Sequence, residues 1–132
     1  MTKTEVRAQW AELLARPDED WELDRAALLL AAEEYPLLQI EPYLSLLDSF
    51  ASRARVRDDL FADPVTRIMR LNEVLFSEFG FRGNTDQYFD ARNSFLNDVL
   101  DRRTGIPITL SVVYLEVARR IELPLVGVGL PG

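Results

Sequence analysis

Asn93 and Asn97 stand four residues apart, so on a helix they share one face. Asn is a mediocre helix former, and two on one face point to specific hydrogen bonds. They could line a ligand groove, or they could bond loop backbone or the end of a neighbouring helix; the second is the plainer expectation. Asp98 and Asp101 lie three apart in the same stretch, a spacing that lets two carboxylates share acid–base work. Arg102-Arg103 follows at once, so surface ion pairing is the simpler outcome. The adjacent acids Glu33-Glu34 and Asp58-Asp59 diverge by about 100° on a helix and do not converge on one site. Thr109 and Ser111 open the last helix, where free backbone N–H groups stabilise an anion or a thiolate. Neither hydroxyl has a His to take its proton.

The chain contains no His and no Cys. That removes thiol nucleophiles, Ser–His pairs, disulfides, and zinc or iron–sulfur sites built on those residues. No catalytic residue, cofactor or metal site is expected. With 132 residues, 48% hydrophobic and 28% charged, the chain is long enough for one ordinary domain and too apolar to be a disordered tail. The formal charge of −7 is uneven: residues 1–66 carry 7 basic and 14 acidic groups, residues 67–132 carry 8 of each. Such a chain repels phosphate backbones, so nucleic acid is not an expected partner. No apolar run reaches the ~18 residues of a membrane span. Residues 1–5 are polar and acidic, without the apolar stretch of a secretory signal; together with the absence of Cys this leads us to expect a cytoplasmic protein.

These residues need elements to hold them, and the hydrophobic period is helical almost throughout. Six helices are expected. The first covers about 4–16 and is stopped by Pro17, with an acidic loop at 17–20; residues 1–20 read as a peripheral helix and loop. The second starts with Asp24 as N-cap and runs to about 35. The third opens at Glu41-Pro42 with Leu44, Leu47, Ala51 and Ala54 inward. The fourth has Asp63 as cap, Pro64 at its first turn and Gly80 as its left-handed stop. The fifth covers about 91–103, and its end carries Arg102-Arg103, a pair that complements the helix dipole; Arg119-Arg120 takes the same reading in the sixth. Thr104-Gly105-Ile106-Pro107 is a tight joint in which Gly supplies the unusual backbone angle. The sixth helix, 107–121, is apolar nearly all round and belongs at the centre of the fold. Residues 125–130 (LVGVGL) read as one short strand, which cannot satisfy its backbone alone. It is expected to pair with a further segment or, by dimerisation or domain swapping, with a second copy.

Three stretches resemble the SirB1 family of bacterial proteins, classed as transglutaminase-like: 27–36 (ALLLAAEEYP), 71–84 (LNEVLFSEFGFRGN) and, above all, 93–132 (NSFLNDVLDRRTGIPITLSVVYLEVARRIELPLVGVGLPG). A similar block occurs in a eukaryotic F-box-type ubiquitin-ligase subunit. The resemblance covers about 22–132. It implies a helical front half leading into a truncated papain/transglutaminase-like core, the chain being the front part of a longer protein. In active transglutaminases the Cys nucleophile sits at the N-terminus of a buried central helix. Carried onto this chain, that slot falls at 107–109, where Pro107, Ile108 and Thr109 stand. The resemblance therefore implies a non-catalytic module that binds a protein or peptide. The candidate groove comprises Asn72, Asn93, Asn97, Arg103, Thr104, Thr109 and Tyr114. Two other readings stay open. The chain could supply half of an enzyme site, with Asn93, Asn97, Thr109 and Tyr114 converging on it. Its acidic stretch 18–63 could instead scaffold a basic partner.

Overall fold

The computed structural model describes residues 2–17, 22–55 and 63–123. The fold is mainly α: helices α1 (Lys3–Leu14), α2 (Leu23–Glu34), α3 (Glu41–Ala54), α4 (Pro64–Asn72), α5 (Leu96–Arg102) and α6 (Pro107–Arg120). A two-residue strand β1 (Arg82–Gly83) pairs in parallel with β2 (Thr104–Gly105), in the register Arg82 to Thr104 and Gly83 to Gly105. The expected strand at 125–130 lies outside the described residues, as do Asp18, Glu19 and Asp20 of the acidic loop.

Helix α6 lies against α2, α3 and α5, and α1 rests on α2. The core between them holds Leu28, Leu29, Leu47, Phe50, Leu71, Leu75, Leu100 and Val117, all fully buried. Asp63 caps α4 by accepting from the Thr66 N–H at 2.7 Å, and Pro64 fills the first turn.

Four local expectations are corrected. Asp24 does not cap α2; Glu22 holds that position without a side-chain bond, and Asp24 is buried within the first turn. Helix α4 does not run straight to Gly80. It widens into a π-turn at Glu73–Glu78, where the Phe79 N–H donates to the Val74 carbonyl. Gly80, at φ +72°, then turns the chain as expected. The fifth helix is two pieces, a 3₁₀ turn at Ala91–Ser94 and α5, separated by Phe95 in extended geometry. Asn93 and Asn97 therefore do not share one continuous helix face. At the joint before α6 the left-handed residue is Arg103, at φ +56°, not Gly105. Gly105 is needed for a different reason. A Cβ there would meet Thr109 Oγ1 at 2.7 Å and the Val99 methyls at 3.1 Å.

Candidate functional site

Pro107 pre-sets the first turn of α6, and Thr109 sits at its third position. The Ile106 N–H donates to Thr109 Oγ1 at 3.2 Å, half of a capping box. The same hydroxyl donates to the Asn93 carbonyl at 2.8 Å and reaches the Ile106 carbonyl at 3.2 Å. It is buried and fully engaged, and among the described residues no base bonds to it. Ser111 donates to the Pro107 carbonyl of its own helix at 2.6 Å. Beside them Ile108 is 74% exposed. The helix is thus central through Val113, Glu116, Val117 and Ala118, while its first turn opens outward.

Asn93 builds the loop in front of this turn. Its buried amide donates to the carbonyls of Gln87 and Tyr88, both at 2.9 Å, and accepts from Asn84 Nδ2 at 2.9 Å. This is the loop-bonding role weighed for it above. The loop presents Tyr88 and Phe89, edge to face at 5.3 Å, on the surface.

The candidate residues fall into separate places. Asn93 and Thr109 meet. Asn72 accepts from the Tyr114 hydroxyl at 2.7 Å, and Tyr114 stacks on Phe76 at 6.1 Å, on the side of α6 facing the π-turn. Thr104 is buried in β2 and donates to the Arg102 carbonyl at 3.1 Å. Arg103 donates to the Leu100 carbonyl at 2.9 Å, which is the expected C-terminal role. Its guanidinium also lies 4.9, 5.2 and 5.4 Å from the ring centres of Phe50, Phe79 and Phe81. Burial pulls this guanidinium below its ordinary pKa. Asn97 faces elsewhere. With Tyr35, Leu37, Leu38, Pro42, Tyr43, Leu46 and Asp101 it lines a groove of about 620 Å³ between α5 and the turn before α3.

That groove corrects another expectation. Asp98 and Asp101 are not ion-paired with Arg102-Arg103. Asp98 accepts from the Tyr35 hydroxyl at 2.5 Å and Asp101 from the Tyr43 hydroxyl at 2.8 Å. Tyr43 is pushed up to about 12 by burial and by its bond to Asp101. Tyr35 is raised as well, chiefly by its bond to Asp98. The tyrosines could have been flagged by their place beside Pro36 and Pro42, but nothing in their spacing names residues some sixty positions away as partners.

The largest miss is at the other end of α6. Arg120 donates to Asp24 at 2.5 Å, to Asp48 at 2.7 Å and to Glu116 at 3.1 Å, and Arg119 donates to Glu116 at 2.6 Å. Asp24 is 1% and Glu116 4% exposed. The carbonyls that end this helix are served partly from outside: Arg55 donates to the Arg120 carbonyl at 2.7 Å and Arg67 to that of Ile121. Arg119-Arg120 therefore ties three helices together rather than only answering the dipole. Among the described residues no cluster of Asp and Glu is arranged to hold a metal ion.

With this geometry in place, comparison with known proteins is informative. The model of the Transglutaminase-like superfamily matches residues 41–132, more than half of the chain. The chain belongs to that superfamily. Among relatives of this transglutaminase-like protein, a UPF0162 protein of Xylella fastidiosa (strain Temecula1 / ATCC 700964) is 41% identical over 123 residues, covering 93% of this chain and 44% of the relative. A UPF0162 protein of Vibrio cholerae is 34% identical over 120 residues, 86% of this chain and 43% of the relative. F-box only protein 21 of Mus musculus is 46% identical over 61 residues, 46% of this chain and 10% of that protein. The chain spans less than half the length of the UPF0162 proteins it matches. No solved structure matches it. No helix among its described residues is long and apolar enough to cross a membrane.

Proposed function

We propose that this transglutaminase-like chain is a non-catalytic module of the SirB1 type, working in the cytoplasm by binding a protein or peptide and not nucleic acid or membrane. One observation carries the reading. The helix terminus that would hold a nucleophile is occupied by Pro107, Ile108 and a Thr109 hydroxyl already engaged by backbone, in a chain without Cys or His. The scaffold is kept while its reacting group is absent, so selection on binding is the simpler account of the fold. The exposed loop tip at Tyr88 and Phe89 and the exposed Ile108 supply surface for a partner.

The test is affinity capture with the full-length protein and with its Ile108→Asp and Phe89→Ser variants. The expected result is a partner held by the wild type and lost from at least one variant whose melting temperature is unchanged. Capture indifferent to both variants would count against the reading.

A second reading draws on the outward-facing first turn of α6: residues outside this chain complete a catalytic site there. It requires turnover that depends on Thr109 or Ser111.

A further inference from the structure

Helix α6 is central to the fold, yet the described residues leave one of its faces largely open. Ile108, Ser111, Val112 and Leu115 stand three and four apart and share that face. Ile108 is 74% exposed, Ser111 is exposed, and Val112 and Leu115 are half-buried. Ser111 donates to the Pro107 carbonyl of its own helix, so its proton stays bonded under an apolar cover. The chain leaves this helix turning back on it. Glu122 is left-handed, at φ +58°. Its N–H donates to the Arg119 carbonyl at 3.0 Å, and the Leu123 N–H donates to the Ala118 carbonyl at 2.9 Å. These two bonds close the C-terminus of α6 and bring Leu123, which is buried, back to the level of Ala118. From Ala118 a row runs through Leu115 and Ser111 to Ile108, toward the start of the helix.

The next residues, Pro124-Leu125-Val126-Gly127-Val128, lie outside the described residues, but their order and number match the open face. An extended backbone advances about 3.3 Å per residue and a helix about 1.5 Å. Counted from Leu123, Val126 falls about 10 Å on and Val128 about 16 Å on. Counted from Ala118, Val112 lies about 9 Å and Ile108 about 15 Å back along α6. Alternate residues of an extended segment share one side, so Val126 and Val128 face the same way with only Gly127 between them. We propose that residues 124–128 run back along α6, with Val126 on Val112 and Val128 on Ile108, and close the Ile108 end of the partner surface until a partner displaces them. The covering contact is independent of the peptide-binding reading above; the competition rests on it.

The chain has no native Cys, so engineered thiol pairs report without background. Two matched pairs are made in the intact chain: Ile108→Cys with Val128→Cys, and Val112→Cys with Val126→Cys. The crossed pair is Leu115→Cys with Val128→Cys, set about 12 Å apart along the helix, beyond the reach of a disulfide. Oxidation is followed by mass spectrometry and non-reducing gels. The matched pairs are expected to form internal disulfides about tenfold or more faster than the crossed pair. They are judged separately, so a pair that unfolds the chain leaves the other to decide. Equal rates overturn the contact. Disulfide-linked dimers in place of internal bonds also overturn it and assign the segment to a second copy. Affinity capture then compares the oxidised and reduced forms of the Ile108→Cys, Val128→Cys chain. The partner is expected to be lost on oxidation and regained on reduction. Capture that ignores the redox state overturns the competition and leaves the contact and the peptide-binding reading standing. Capture of nothing in either state, or by the wild type, counts against the peptide-binding reading and removes the competition with it, while the disulfide rates still decide the contact.

Discussion

The carboxylates of this chain live in two kinds of company. At the C-terminal end of α6, Asp24, Asp48 and Glu116 close on Arg120, with Arg119 bonding Glu116 as well. On α5, Asp98 and Asp101 each accept a tyrosine hydroxyl, and Arg92 and Arg103 act on them through space without a direct bond. The first group sets three carboxylates against two guanidiniums and fixes α2 and α3 on α6. The second is held by single phenol bonds, and its Asp101 borders an open groove. The ion-paired group locks three helices together, while the phenol-bonded group is held by one neutral donor each.

The contrast can be broken most severely at Arg120. Arg120→Ala leaves Asp24 and Glu116 buried with only Arg119 near them and is expected to cost about 3–5 kcal/mol, read as a lowered urea midpoint. A replacement that unfolds at the wild-type midpoint would mean that the cage is ornamental.

The joint between the two regions comes next. Gly105→Ala forces a methyl against Thr109 Oγ1 and Val99, so α6 must shift relative to α5; a loss of about 1–3 kcal/mol is expected in the same measurement.

Acid titration reads a third set of carboxylates, outside both groups, without mutation. Asp90 is held down at about 2 from an ordinary 3.8 by its bonds to Arg92. Its folded pKa is the lower one, so its contribution is complete above about pH 4 and is lost as pH falls toward 2. Glu22, chiefly through Arg25, and Glu78, chiefly through Arg53, are also lowered and act in the same direction. Stability measured by chemical denaturation is expected to decline through that acid window, and Arg92→Gln to flatten part of the decline.

The smallest effect sharpens the groove side. Asp101→Asn keeps an acceptor for Tyr43 and removes a charge, so stability should change by less than about 1 kcal/mol. The Tyr43 phenol should ionise below its wild-type value of about 12, since burial remains but the charge does not. Because its folded pKa is raised above the ordinary 10, its proton-linked stability is complete below pH 10 and lost as pH climbs through 12. Alkaline absorbance titration of the two proteins reads both.

Much of the helical frame was legible from sequence because its signals are local. Pro42, Pro64 and Pro107 mark three helix starts, Asp63 marks a cap, and Gly80 marks a left-handed turn. The misses involve partners distant in sequence. Asp24 looks like a cap because Asp often is one, yet Arg120 lies ninety-six positions away and claims it. Asp98 and Asp101 look paired with Arg102-Arg103, but Arg103 bends left-handed and turns its guanidinium onto three phenylalanine rings. The break at Phe95 was hidden by an apolar period that continues across it, and it sends Asn93 and Asn97 to different places. The candidate groove was therefore read from residues that matter individually but do not meet as one set. Asn93 with Thr109 and Asn72 with Tyr114 were brought together; the tyrosine–aspartate groove around Asn97 could not be read from spacing.

The central claim is that the front of α6 holds no reacting group. Acyl transfer from a carboxamide releases ammonia, so the direct measurement is ammonia release from glutamine-containing peptides by the full-length protein, beside its Thr109→Val and Ser111→Ala variants. The account expects the wild type to match the buffer rate and both variants to match the wild type. Release above buffer that vanishes in either variant would contradict it.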